Sequence, residues 1–193
     1  MIQAETLCEF STVLLQPDSA GTPVDWAFVV LPPEISATLP RRGRITVQLW
    51  LNEHSFQAML EPDGQKGHWL PLPQSLLTQL GACIGERLCI KLAALVDEPR
   101  PLLPADFAAA LGRSPAAQAT WHSTTAVAQV DWLHWITSAK QLSTRSKRIT
   151  DACDMLASGK KRVCCFDPSG FYSKAFKAPV AAGTNQGSGK AEK

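Results

Sequence analysis

Along "RITVQLWL" apolar and polar residues alternate, with Ile45, Val47, Leu49 and Leu51 on one face and Thr46, Gln48 and Trp50 on the other. Successive side chains of an extended chain point to opposite sides, so this rhythm predicts a strand with one face toward a core. "ETLCEFSTVLL", "VDWAFVVL", "HSFQAMLEP", "GHWLPLP" and "RLCIKLAAL" carry the same signature less strictly, giving six predicted strands between residue 6 and about residue 96. Segments rich in turn-forming residues separate them: "DSAGTP", "LPRRG", "LNEH", "EPDGQKG" and "LGACIGE". Six short strands at this spacing predict a small barrel or sandwich. Two short helical turns are expected within it, at "PPEISATL" and "PQSLLTQL".

After "VDEPRPLLP" the period becomes helical. "PADFAAALG" opens on Pro104 and closes at Gly112, and "SPAAQATWHS" offers Ser114 as an N-cap with Pro115 in the first helical position. Trp132, Trp135, Ile136 and Ala139 recur at helical spacing, and Ile149, Ala152, Cys153 and Leu156 repeat it. Gly159 is placed to end the last helix in a left-handed conformation. The segment from Ala178 onward has no periodicity and is rich in small residues, and no structure is expected of it.

Apolar residues make up 45% and charged residues 19% of the 193 positions, enough for a core. No run reaches the roughly 18 apolar residues of a membrane span, and the acidic Glu5 and Glu9 do not suit a secretory leader. The expected compartment is the cytoplasm, and the six cysteines are then expected as free thiols. The net charge of +2 is unevenly spread. Residues 1–139 hold eight basic and thirteen acidic side chains, whereas residues 140–177 hold nine and three, a local balance of +6. Such an asymmetry bears on partners more than on fold.

The stretch "SGKKRVCCFDPSGFYSKAF" concentrates the candidate chemistry. Cys164 and Cys165 are adjacent, which does not suit a shared metal ion, and no metal or cofactor is expected. Either thiol is a candidate for redox chemistry, because Lys160, Lys161 and Arg162 lie close upstream and nearby cations favour a thiolate. The plainer reading is a short extended segment, Val163 to Phe166, with one thiol packed inside. The basic residues Arg145, Arg148, Lys160, Lys161 and Arg162 form a candidate binding surface for an acidic or amphipathic protein, peptide or ligand. Positive charge after a helix C-terminus also has a local role, interacting with the helix dipole. Nucleic acid is the weaker reading: Phe166, Phe171 and Tyr172 could stack on bases, but a pI near 8.2 is not strongly basic. A third reading places a small ligand at the barrel mouth near His54 or His68, although aromatic residues at core spacing, including Trp26, Trp50 and Trp69, ordinarily fill a core. No paired carboxylates and no Ser/His/Asp arrangement point to catalysis, and the chain is read as a binding or stress-protection module and not an enzyme.

The order of these pieces resembles a bacterial family of unknown function in which a small β-barrel precedes a helical YdeI/OmpD-associated region, sometimes described as bacteriocin-protection proteins. The resemblance rests on "WAFVVLPPEI", "GRITVQLWLNEHSFQAMLEPDGQKGHWLPL" and "GERLCIKLAALVDEPR" in the first half. In the second it rests on "LPADFAAAL" and "WITSAKQLSTRSKRITDACDMLASGKKRVCCF". The chain departs from that pattern at Asn52-Glu53, where an Asn-Gly hairpin turn is usual, at Gln129 and Asp131, and at the link Gln141, Leu142, Ser143. The resemblance implies a barrel of the double-split type, a cytosolic location, no established catalytic activity and a protective role against cationic peptides. The expected fold class is α+β: a barrel domain over residues 1–98, a helical subdomain over 99–177 and an unstructured tail over 178–193.

Overall fold

The structure, a computed structural model, describes residues 7–19, 22–52 and 54–183. Strands β1 (Cys8–Val13), β2 (Trp26–Val30), β3 (Ile45–Leu51), β4 (His54–Pro62), β5 (His68–Pro73) and β6 (Arg87–Ala94) form one antiparallel sheet in the order β1-β6-β3-β4-β5-β2. The sheet curls into a half-barrel until its two edges touch. Leu15, just beyond β1, exchanges both backbone hydrogen bonds with Phe28 of β2, and the Thr12 hydroxyl donates to the Val30 carbonyl. Helices α1 (Pro33–Thr38) and α2 (Gln74–Leu80) occupy the two expected short segments. Gly81 ends α2 at φ 64°, a left-handed conformation in which glycine has no Cβ to clash.

The concave face of the sheet is filled by Val47, Leu49, Leu60, Leu70, Leu72, Ile90 and Leu92, each no more than 2% exposed. The polar face of β3 is covered as well. Thr46 and Gln48 are buried, and Thr46 is satisfied by Glu98, which accepts from its backbone N–H at 3.1 Å and from its hydroxyl. The departure at Asn52 leaves the β3–β4 connection tight. Leu51 pairs with His54, and Asn52 adopts φ 54°, which asparagine tolerates better than most residues.

Helices α3 (Ala105–Gly112), α4 (Pro115–Ser123), α5 (Ala126–Thr137) and α6 (Leu142–Ala157) follow. Ser114 and Thr125 cap α4 and α5, their hydroxyls accepting from Ala117 N and Ala128 N. The helices bury a second core around Phe107, Trp121, Trp132, Ile136, Ala152 and Leu156. Phe107 and Trp121 meet edge to face at 5.3 Å. Gln129 belongs to this interior: it is 1% exposed, and its side-chain amide donates to the Trp121 carbonyl at 2.9 Å. Full burial of a large apolar side chain such as Phe107 or Leu49 stabilises the fold by roughly 1.5 to 3 kcal/mol, so neither core is incidental.

The expected unstructured tail lies mostly outside the described residues. Within them, Asp18 N donates to the Val180 carbonyl at 2.7 Å and Ala182 N to the Gln16 carbonyl at 2.8 Å, so residues 178–183 run beside the segment after β1. Composition does not register this pairing, because the hydrogen bonds are made by the backbone.

Candidate interaction surface after helix α6

Helix α6 stops as its sequence requires. Gly159 takes φ 84°, Gly159 N donates to Leu156 O at 2.9 Å and Lys160 N donates to Met155 O at 3.0 Å, the paired bonds of a Schellman cap. The cap turns the chain away from the helix axis and leaves Lys160, Lys161 and Arg162 exposed. Their backbone is fixed from beneath, since the fully buried Trp132 donates its indole N–H to the Lys161 carbonyl at 3.3 Å.

From here residues 160–177 run as a strap across both halves of the molecule. Val163 and Phe166 are its anchors in the helical core. Between them the chain turns at Cys164 and Cys165, with Cys165 at φ 57° and both side chains exposed. This corrects the expectation of an extended segment with one thiol inside. A strand would alternate its side chains, whereas the turn sends Val163 and Phe166 inward and both thiols outward. The thiols stand 3.5 Å apart, and the hydrogen bond with Cys164 pushes the Cys165 pKa up, against the activation by neighbouring cations that the sequence suggested.

Asp167 organises the next turn. One carboxylate oxygen accepts from Ser169 N and the Ser169 hydroxyl, the other from Tyr172 N and Ser173 N, all between 2.7 and 3.1 Å. Burial works to raise its pKa, but these donors together outweigh it and hold the carboxyl well below the usual range. The turn presents Tyr172 with 86% of its surface exposed and sets Phe171 between two cations, Lys66 Nζ at 4.6 Å and Lys174 Nζ at 4.4 Å from its ring centre. Phe176 then closes the strap onto the sheet. Its ring lies 4.9 Å from the Arg44 guanidinium and 5.3 Å from His134, and its carbonyl fills the space over Gly64.

Beneath the strap lies a charged cluster that the sequence did not single out. Arg44 is 5% exposed and paired with Glu61, and Arg41 is paired with Glu98. Asp131 on α5 is half-buried facing Arg44, Arg41 and Arg162. Burial outweighs these cations and pushes its pKa up to about 6. His134, one turn along, is pushed down to about 4 by burial and by the positive charge of Arg44 and Arg148. The cleft between Asp131, Arg162, Val163, Phe166 and Pro168 holds only about 100 Å³. A larger one of about 310 Å³ separates Pro40, Arg41 and Asp97 from Thr125 and Val127 at the start of α5. The sequence signal for the cluster was slight: an acid, Asp131, beside the buried Trp132, and three arginines in "PRRGR" with no evident partners.

The remaining predicted residues are dispersed. Arg145 forms a two-pronged ion pair with Asp106 of α3, at 2.7 and 2.9 Å, and Arg148 donates to the Trp135 carbonyl and the Ser138 hydroxyl at the end of α5. Both arginines thus serve contacts within the helical core's rim, apart from the group at 160–162. His54 and His68 sit at opposite ends of β4's pairing. His54 is exposed, while His68 is fully buried with Nε2 3.1 Å from the Gly43 carbonyl. Among the described residues no helix is long and apolar enough to cross a membrane, and no three acidic, histidine or cysteine side chains converge to hold a metal ion.

Residues 10–92 match the family model for a domain of unknown function, DUF1905, and residues 101–159 match the one described as bacteriocin-protection, YdeI or OmpD-associated. No curated protein matches the chain. The first match spans the curled sheet and the second spans α3 to α6 as far as the capping Gly159. The strap from Lys160 onward lies beyond both. The chain is therefore similar to the DUF1905 domain over its sheet and to the YdeI or OmpD-associated region over its helices.

Proposed function

We propose that this protein works by binding and not by catalysis, and that its strap recognises an acidic segment of a partner protein or peptide. The observation that carries this reading is the state of Lys160, Lys161 and Arg162. They are exposed, with no ion pair within 4 Å among the described residues, on a backbone held by the Schellman cap and the Trp132 hydrogen bond. A backbone already held in place spares the cost of ordering the chain when a carboxylate-rich segment docks, and the exposed Tyr172 supplies an amphipathic contact on the same strap. The protective role attached to the helical family fits such a module only through an acidic partner, since like charges repel a cationic peptide. We place the activity in the cytoplasm.

The test is fluorescence anisotropy with a labelled oligo-glutamate peptide carrying one tryptophan, at 50 mM and 500 mM salt. Wild type is expected to bind at low salt and lose most of its affinity at high salt. The Lys160→Glu/Lys161→Glu/Arg162→Glu variant is expected to bind at least ~10-fold more weakly, and Arg145→Ala to bind like wild type. Equal binding by the triple variant overturns the proposal, as does tighter binding of a single-stranded oligonucleotide than of the peptide.

A further inference from the structure

Cys164 and Cys165 are neighbours in sequence, and the turn that carries them places both sulfurs on the same side, 3.5 Å apart and exposed. Nothing in the packing requires cysteine there: Val163 and Phe166 are the buried anchors on either side, and the two thiols face solvent. The backbone, however, is held in an unusual state. Cys165 sits at φ 57°, a left-handed conformation that disfavours residues with a Cβ and is found where surrounding structure enforces it. Here the enforcing structure is the strap itself, anchored by Phe166 on one side and by Val163 on the other. The remaining cysteines have other surroundings: Cys8 Sγ lies 3.5 Å from the Thr38 hydroxyl, Cys89 donates to Glu9 at 3.2 Å, Cys153 packs against the helical core and Cys83 is exposed in the segment after α2.

We infer that Cys164 and Cys165 are a redox-active vicinal pair that closes to a disulfide when a hydroperoxide oxidises it. One thiolate attacks the peroxide, forming an S–O bond as the O–O bond breaks and hydroxide leaves. The second sulfur then attacks the sulfenic sulfur, the S–O bond breaks, and the leaving hydroxide takes the remaining proton. Two thiols lose two electrons and two protons, and hydrogen peroxide becomes two waters. The second step is intramolecular between atoms already within 3.5 Å, so it outruns further oxidation of the sulfenic acid. Adjacent Cα atoms lie about 3.8 Å apart, below the usual disulfide range, and the resulting strain makes the bond easy to reduce again. The pair is therefore reversible and not a structural staple. The thiolate is the attacking species, so the reaction accelerates as pH rises.

The experiment treats the full-length protein with one equivalent of hydrogen peroxide, alkylates it with N-ethylmaleimide and maps it by mass spectrometry. Trypsin releases residues 163–174, which contain both sulfurs. The expected product of this peptide lacks two hydrogens, carries no alkyl group and regains both thiols with dithiothreitol, whereas Cys83 is expected to stay alkylatable or to proceed to sulfinic acid. In Cys164→Ser and Cys165→Ser, both surface changes that leave the cores intact, the remaining thiol is expected to proceed to sulfinic acid or to stay alkylatable. Separate sulfinic acids on the wild-type pair, or a mixed disulfide with another cysteine in place of the pair's own, overturns the inference.

Discussion

Asp131 and His134 lie one turn apart on α5, and their protonation is perturbed in opposite senses, so removing either one exposes the pH dependence of the other. Asp131 is raised from its ordinary 3.8 to about 6. Between those values the folded chain holds a proton that the unfolded chain has released, and stability falls as pH rises through the window. His134 is lowered from 6.5 to about 4. There the unfolded chain takes up a proton that the folded chain refuses, and stability falls as pH drops through 6.5 toward 4. At about 1.4 kcal/mol per pH unit each shift corresponds to at most ~3 kcal/mol, and since both side chains are only half-buried, solvent screening reduces this to roughly 1 to 1.5 kcal/mol. The two slopes oppose each other over most of the same range in the wild type. Asp131→Asn keeps the shape and removes the ionisation. It is expected to match wild type near pH 4 and to exceed it by ~1 kcal/mol at pH 7.5, because the cost of a buried carboxylate is gone. Urea unfolding followed by tryptophan fluorescence, at fixed 0.15 M salt across pH 4 to 7.5, measures the difference directly. His134→Gln is the mirror case, with a constant packing loss against Phe166 and Phe176 and a relative gain on acidification. An Asp131→Asn protein that loses stability at pH 7.5 refutes the reasoning, since the attraction of Arg44, Arg41 and Arg162 for the carboxylate then exceeds the cost of burying it.

Two further predictions concern the strap. Gly64→Ala would place a Cβ 2.2 Å from the Phe176 carbonyl oxygen at φ 73°, whereas Gly81→Ala meets a similar φ of 64° in open space. Both are expected to lose ~1 kcal/mol for the left-handed backbone. Only Gly64→Ala is expected to dislodge the strap, read as faster tryptic cleavage after Lys174 and Lys177; equal cleavage in the two variants counts against the contact. Asp167→Asn replaces a charged acceptor of five hydrogen bonds by a weaker one, at an expected cost of ~1 kcal/mol in denaturant unfolding at neutral pH. The carboxyl is depressed in the fold, so this stability is fully present above the unfolded value near 3.8, shrinks as pH falls below it and is lost only as pH falls through the lower folded value; a difference that does not shrink at all between about pH 5 and pH 2.5 would mean that the charge is not its source.

Most of the architecture was written locally. The alternation in "RITVQLWL" specifies a strand because its period is that of the pleat, and Ser114-Pro115 and Gly159 specify helix ends because few residues suit those backbone positions. The local rules ran short where one side chain answers to something distant in sequence. Arg145 and Arg148 looked like part of a basic surface, but Asp106 lies 39 residues from Arg145 and the Trp135 carbonyl 13 residues from Arg148, and both arginines are held by those partners. The same holds for Asp131, whose environment is set by two arginines on the sheet side and one on the strap.

The amino-acid sequence alone determined the succession of six strands and four longer helices, helix ends such as Ser114 and Gly159, and the concentration of positive charge after residue 140. These depend on periodicity and on the conformational preferences of single residues, which act within a few positions. Only the tertiary structure decided which cations remain unpaired, that the two thiols share one turn facing outward, and that Phe176 is drawn over Arg44 and Gly64. Those outcomes depend on which groups the packed sheet and helices bring within a few ångströms, and burial and Coulomb energy at that range are not functions of sequence separation.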